Sequence, residues 1–231
     1  RPRRHRPDRL GEVMMRTIRL TRPALAVGIA AAGAVATVGP AAYVLFFRRW
    51  CLTWGARDDE VAAKLPGYEL LPDAGLVTTR AVTIDAPPSA IWPWLVQMGS
   101  GRGGAYTYDW IENLLGLNMH SANEILPRYQ HIAVGDELPM GSGRPGVTVG
   151  VLDPPRTLAV RVADQNWVWI FALVPEGEST RLISRNRIAT AALAPVGRLF
   201  YTVFMEPGSL VMERKMLLGI KQRAERTATA S

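Results

Sequence analysis

Between Arg22 and Arg48 the chain carries no charge. The run PALAVGIAAAGAVATVGPAAYVLFF, Pro23 to Phe47, is 25 residues long. As a helix, that length crosses a hydrocarbon core of about 30 Å with room for tilt. Gly28, Gly33, Gly39 and Pro40 weaken a helix in water but are tolerated in membranes. Tyr43, Trp50 and Trp54 fall toward one end, where an aromatic belt belongs. A cleaved signal peptide has a shorter apolar region and a small-residue cleavage site, whereas this run ends YVLFFRRW. A buried core helix is seldom charge-free for so long. The run is therefore read as one transmembrane helix, 23–47. It divides the chain into a basic tail (1–22), a polar linker (48–76), a folded domain (77–226) and a disordered end (227–231).

The charge sits unevenly around that run. Residues 1–22 hold eight arginines against Asp8 and Glu12, a net of +6, which leaves +1 of the total +7 on the rest of the chain. The body is close to neutral and lacks the basic face that nucleic acid requires, so that partner is excluded. The positive-inside bias favours a cytoplasmic N-terminus with the domain outside. Met14 and Met15 are alternative starts, from which three arginines remain and the bias nearly vanishes. The Arg- and Pro-rich first thirteen residues read as disordered. The single cysteine, Cys51, permits neither an intramolecular disulfide nor a thiolate cluster. Its place beside the apolar run allows acylation, but a half-buried free thiol is the simpler reading.

Past the run, Asp58 to Lys64 reads as a short helix ended by Pro66-Gly67. Val77 to Ile84 alternates as a strand. Asp85 is placed to cap a helix over Ser89 to Met98, with Pro87 and Pro88 at its first turn. Tyr108 to Leu117 has helical spacing that puts Trp110, Ile111, Leu114 and Leu115 on one face and turns Asp109, Glu112 and Asn113 away from it. Residues 118–146 read as loop, with a small ordered piece at Ala122–Leu126. Val147–Leu152, Thr157–Val162, Trp167–Val174 and Thr180–Ile188 are four further strands. In the third of these both faces are apolar: Trp167, Trp169 and Phe171 on one, Val168, Ile170 and Ala172 on the other. Such a strand fits a sheet covered on both sides. Ala189 to Met205 reads as a helix or helical hairpin against the sheet mouth or a membrane surface. Glu206-Pro207-Gly208 is expected to break the chain. Ser209 then caps a last helix to about Glu225, with Met212, Met216 and Ile220 on one face and Arg214, Lys215, Lys221 and Arg223 away from it. One strand, two short helices, a run of antiparallel strands and a long closing helix make an α+β layout that encloses an apolar volume.

The candidate chemistry clusters in Gln97–His120. Gly99-Ser100-Gly101-Arg102-Gly103-Gly104 satisfies G-x-G-x-x-G, but the pattern lacks the strand before it and the distant acid after it that a dinucleotide site needs. It is read as a turn, and no cofactor is expected. Arg102 pairs with Asp109 or Glu112, or meets an anionic head group. Tyr106, Tyr108 and Trp110 line a pocket mouth or pack in the core. His120 with Asp109 or Glu112 is the candidate acid–base set; His131 lies in a loop and His5 in the tail. No two-histidine metal spacing exists, and no metal is expected. Trp167, Trp169, Phe171, Met212 and Met216 are the expected apolar wall.

RAVTIDAPPSAIWPWLVQMG resembles the opening of the START-like (SRPBCC) superfamily of polyketide cyclases, lipid-transfer domains and Bet v 1-type proteins. The segments GRGGAYTYDWIENLLGLNMHSANEILP and PGSLVMERKMLLGIKQRAE resemble a largely actinobacterial, membrane-anchored branch of it. Over about residues 60–226 the resemblance implies a helix-grip fold, a curved antiparallel sheet wrapped on the C-terminal helix with a cavity beneath. It implies no activity. Three readings follow. The first is membrane-tethered binding or carriage of a hydrophobic or amphiphilic small molecule or lipid, without catalysis. The second is a cyclase- or dehydratase-like enzyme using His120 with Asp109 or Glu112. The third is an interaction module with a filled core.

Overall fold

A computed structural model of the chain describes Gly39 and residues 41–141, 146–162 and 166–229. The chain separates into two units, 1–46 and 47–231. The expected transmembrane helix, 23–47, lies mostly outside the described residues, as does the basic tail. Among the described residues no helix is long and apolar enough to cross a membrane.

The second unit is built on a six-stranded, wholly antiparallel sheet, in the order β1-β6-β5-β4-β3-β2. Its strands are β1 (Leu76–Ile84), β2 (Glu137–Leu138), β3 (Val147–Asp153), β4 (Thr157–Val162), β5 (Trp167–Glu176) and β6 (Ser179–Ile188). The helices are α1 (Arg48–Leu52), α2 (Asp58–Ala62), α3 (Pro88–Val96), α4 (Asp109–Leu114), α5 (Pro195–Phe200) and α6 (Glu206–Thr229). An antiparallel sheet with α3 and the long α6 packed on one face is the helix-grip, α+β arrangement.

Strand alternation sends side chains to two cores. On the helix side, Ile84, Leu158, Phe171 and Leu182 meet Trp94 and Leu95 of α3 and Met216, Leu217 and Ile220 of α6. On the other side, Ala81, Ala159, Val168, Ile170 and Ile183 meet Leu65, Leu70 and Leu71. The two-sided strand read over Trp167–Leu173 therefore does bury both faces.

The segment expected to be a polar linker is strapped to the back of the sheet. Three arginines of β6, all buried, hold it. Arg181 donates to both oxygens of Glu60 at 2.8 Å and to the Gly55 carbonyl at 2.9 Å. Arg185 donates to the Val61 and Ala63 carbonyls. Arg187 donates to the carbonyls of Leu71 (2.9 Å) and Pro72 (2.8 Å) and lies over the Tyr68 ring. The alternation of β6 puts these residues and Ile183 on one face, and Leu182, Ser184 and Asn186 on the other.

Five local expectations are corrected. Asp85 does not cap α3; Pro87 occupies that position and Pro88 begins the helix, where no N–H is needed. Residues 118–146 hold β2 and a 3₁₀ turn at Pro127–Tyr129, rather than an ordered piece at Ala122–Leu126. The apolar side of α4 faces outward, with Trp110 70% and Leu114 79% exposed, while Glu112 is buried. Polar anchors set that orientation. Asp109 accepts from the backbone N–H and hydroxyl of Ser121, and Asn113 bonds both backbone groups of Met119. Glu206-Pro207-Gly208 does not break the chain, because α5 runs through a π-helical stretch, Tyr201–Met205, directly into α6. A proline removes one N–H and crowds the carbonyl four residues back, and a π turn widens the helix where that crowding falls. Finally, α6 continues to Thr229, past the expected end. The hydroxyl of Thr227 bonds the Arg223 carbonyl, and Ala228 packs on the core.

Candidate functional site

Under α6 lies a cavity of about 530 Å³. Its wall draws on β1 (Leu76, Thr78), β5 (Trp167, Trp169), β6 (Asn186, Ile188) and the loop around α4 (Ala105, Thr107, Glu112, Met119). The chain after β6 adds Leu193, Tyr201, Glu206, Met212, Glu213 and Met216. The volume falls within the range of small-molecule sites, roughly 300–1,000 Å³.

The aromatic side of the wall is held in place. Trp167 and Trp169, two residues apart on one face of β5, stack at 5.5 Å, and Trp169 packs on Phe171 at 4.7 Å. Each indole N–H is fixed from β6: Trp167 donates to Asn186 Oδ1 and Trp169 to Ser184 Oγ, both at 2.8 Å. Met119, Met140, Met212 and Met216 also line the wall, and their flexible thioethers adapt to varied apolar shapes.

Into this apolar wall the fold sets charges. Arg80 of β1 and Glu213 of α6 form an ion pair with side chains 0% and 6% exposed. Arg80 also donates to the Cys51 carbonyl at 3.1 Å and to Ser209 Oγ at 3.1 Å. Glu213 Oε2 accepts from Arg80 and from Asn186 Nδ2 (3.0 Å), while its Oε1 is buried without a partner. Burial lifts the Glu213 carboxyl above its ordinary range, and Arg80, Ser184 and Asn186 pull it back only in part. Glu112 is likewise raised, first by burial and also by the neighbouring Asp109, against a lowering by Thr107. Glu112 Oε2 and Thr107 Oγ1 are buried with no well-formed hydrogen bond. Among the described residues four buried side-chain polar atoms lack a partner, and three of them belong to this wall; the fourth is Trp94 Nε1. Native interiors rarely leave such groups unmet.

Of the residues singled out from sequence, Glu112, Trp167, Trp169, Met212 and Met216 line this cavity. Phe171 lines a much smaller adjoining void of about 30 Å³. The others are elsewhere. Arg102 pairs with neither Asp109 nor Glu112; it donates to the carbonyls of Val96, Met98 and Tyr129 and stacks on the Tyr129 ring. Tyr106 is core, its hydroxyl donating to the Trp94 carbonyl at 3.0 Å, and burial raises its pKa. Its backbone, at φ 58°, presses so closely on α6 that a Cβ at Gly219 would meet the Tyr106 carbonyl at 2.6 Å. Tyr108 stands at the start of α4 beneath Lys215, Trp110 faces outward, and Asp109 is taken up by Ser121. His120 is exposed and off the cavity wall.

The glycine turn closes on itself. The amides of Gly99, Ser100, Arg102, Gly103 and Gly104 donate to the carbonyls of Gly104, Pro139, Gly99, Gln97 and Gly99 respectively. Those amides are spent within the protein and form no phosphate cradle. No group of three or more His, Cys, Asp or Glu able to hold a metal occurs among the described residues.

Sequence reasoning missed Arg80, Thr107, Asn186 and Glu213. The signal for Glu213 was present: it interrupts the stripe Leu210, Met216, Leu217, Ile220, Ala224, which is buried throughout. Arg80 likewise shares a strand face with Thr78, Val82 and Ile84.

No family model matches the chain, and no curated protein matches it. Solved structures similar to it include protein MLL2253 from Mesorhizobium loti, at 18% identity and a TM-score of 0.40, covering 66% of this chain and 98% of that one. A polyketide-cyclase-like protein, Cgl2372 from Corynebacterium glutamicum, is 17% identical with a TM-score of 0.33, covering 67% and 87%. The Aha1 dimer from Colwellia psychrerythraea is 15% identical with a TM-score of 0.40, covering 65% and 96%. The strand order and the closing helix of this chain are those of a helix-grip fold.

Proposed function

We propose that the chain binds and carries a hydrophobic or amphiphilic small molecule in the cavity under α6, tethered to a membrane by 23–47 and without turnover. The observation that carries this reading is the cavity of about 530 Å³ walled by two fixed tryptophans and four methionines. It is well above the roughly 300 Å³ below which a filled interaction module would be the better reading. Against the acid–base reading, His120 is exposed and off the cavity wall, and Asp109 is bonded to Ser121.

The helical segment after β6 supports the membrane part. It contributes Tyr201 to the cavity wall while exposing Val196 (80%), Leu199 (57%), Phe200 (56%) and Phe204 (64%). Arg48, the first residue after the charge-free run, donates to both Glu206 oxygens at 2.8 Å at the head of α6. Cys51 Sγ donates to the Glu206 carbonyl at 3.4 Å. The chain leaving the expected membrane span is thus bonded to the head of α6, into which this apolar helix runs.

The test is mass spectrometry of the full chain purified from its own membranes, with uptake of a polyprenol followed by quenching of Trp167 and Trp169. A co-purified apolar compound and saturable quenching are expected. An empty chain with no uptake would sink the reading, and conversion of the bound compound would replace carriage by catalysis.

A further inference from the structure

The charges on the cavity wall narrow the ligand, given the carriage reading above. Three carboxyls face the cavity, Glu112, Glu206 and Glu213, and no lysine, arginine or histidine does among the described residues. Two have a cation behind them: Glu206 has Arg48, and Glu213 has Arg80. Glu112 has none. The charged group that bears on it is Asp109, another carboxylate. The cations of α6 nearest this loop are engaged elsewhere. Arg223 donates to the Ala122 carbonyl at 2.7 Å and lies over Tyr106, and Lys215 lies over Tyr108.

Glu112 is 7% exposed, and neither its Oε2 nor the Thr107 hydroxyl makes a well-formed hydrogen bond, the two meeting only each other. A buried carboxylate without a counter-charge is costly. An ammonium supplies that charge and carries three N–H donors, more than the single hydroxyl hydrogen of Thr107 can offer Glu112. A hydroxyl supplies one donor and no charge. A fatty-acid carboxylate would enter a wall that offers it carboxyls and no free cation.

We infer that the cavity takes an amphiphile whose head is a protonated amine, seated on Glu112 and Thr107, with its carbon body against Trp167, Trp169 and Met216. Charge-assisted hydrogen bonds are about twice as strong as neutral ones, so the amine should outbind an alcohol of equal length by about tenfold or more.

The experiment titrates the full chain with decylamine, decanol and decanoic acid by calorimetry, at one fixed concentration of non-ionic detergent. The Glu112→Gln and Thr107→Val chains are run alongside, so that partition into detergent cancels. The expected result is the affinity order amine, alcohol, acid, with the amine-to-alcohol ratio falling toward one in Glu112→Gln and dropping partway in Thr107→Val. An amine no tighter than the alcohol, an acid tighter than both, or a ratio indifferent to Glu112→Gln overturns the inference while leaving carriage standing. Binding of none of the three overturns both.

Discussion

Arg80 and Glu213 meet inside the domain, one from the middle of β1 and the other from the inner face of α6. The pair joins the sheet to the helix that closes over the cavity. Arg80 also reaches the Cys51 carbonyl, so the same side chain ties α1 to both.

Removing one partner leaves the other charged in a dry place, which typically costs 3–5 kcal/mol, whereas replacing both by apolar residues is often neutral. Arg80→Met should therefore lower the stability of the folded unit by about 3 kcal/mol or more in urea unfolding. Arg80→Met with Glu213→Leu should recover most of that loss. A double variant as unstable as the sum of its singles would mean that the two side chains act independently and not as a pair.

Glu112 gives the opposite sign. Its carboxyl is raised by burial and by Asp109. A carboxyl raised in the folded state contributes stability that is fully present below its unfolded pKa, near 4.3, and lost as pH rises through the folded value. Glutamine keeps the shape and has no charge to bury. Glu112→Gln should melt about 2–4 °C higher at neutral pH, which corresponds to roughly 1 kcal/mol in a unit of this size, and the gain should shrink toward pH 4. Thermal melts at the two pH values check it. A variant that melts lower at neutral pH would place a stabilising partner on Glu112.

How much of this was legible in the sequence depended on whether the cause was local. The five long strands were read to within two residues, because period-two alternation and Gly, Pro or Asp punctuation are written in adjacent residues. The orientation of α4 was not. Trp110, Leu114 and Leu115 form a fair apolar stripe, yet they point outward, since Asp109 and Asn113 are held by residues 119 and 121 across a loop. The Gln97–His120 stretch drew attention through its glycines and histidine, but the residues it sends to the cavity wall are Ala105, Thr107, Glu112, Leu117 and Met119. Glu213 and Arg80 were visible as charges at core-facing positions. What no pattern supplied was that each answers the other from 133 residues away.

The strap on the back of the sheet offers a third measurement. Glu60 is held by two bonds from Arg181, and burial alone would push its carboxyl up, yet Arg181 and Arg57 bring it below the ordinary range. Arg181→Met should free α2 and the chain after it without dismantling the sheet, because the Arg185 and Arg187 contacts remain. Lys64 is exposed at the end of that segment. Trypsin should then cut after Lys64 about tenfold faster or more, since cleavage follows the population of the locally opened state. An unchanged rate would mean that Arg185 and Arg187 suffice to hold the strap.

The outer face of the helix leading into α6 gives the last test, one that separates delivery from storage. Phe200 and Phe204 stack on each other at 5.3 Å and are both more than half exposed, while Tyr201 between them lines the cavity. If the helix lies in the lipid interface, burying one phenylalanine contributes about 1.5–3 kcal/mol, and the cavity loads through that contact. Phe200→Glu with Phe204→Glu, in the full chain reconstituted into vesicles, should slow uptake of a fluorescent amphiphile from the bilayer by about tenfold or more. Energy transfer from Trp167 and Trp169 reports the uptake directly. Equilibrium affinity measured in detergent should stay close to that of the unaltered chain, because neither phenylalanine touches the cavity. Loss of affinity with unchanged uptake kinetics would show that these rings shape the cavity instead, and that loading does not pass through the apolar face.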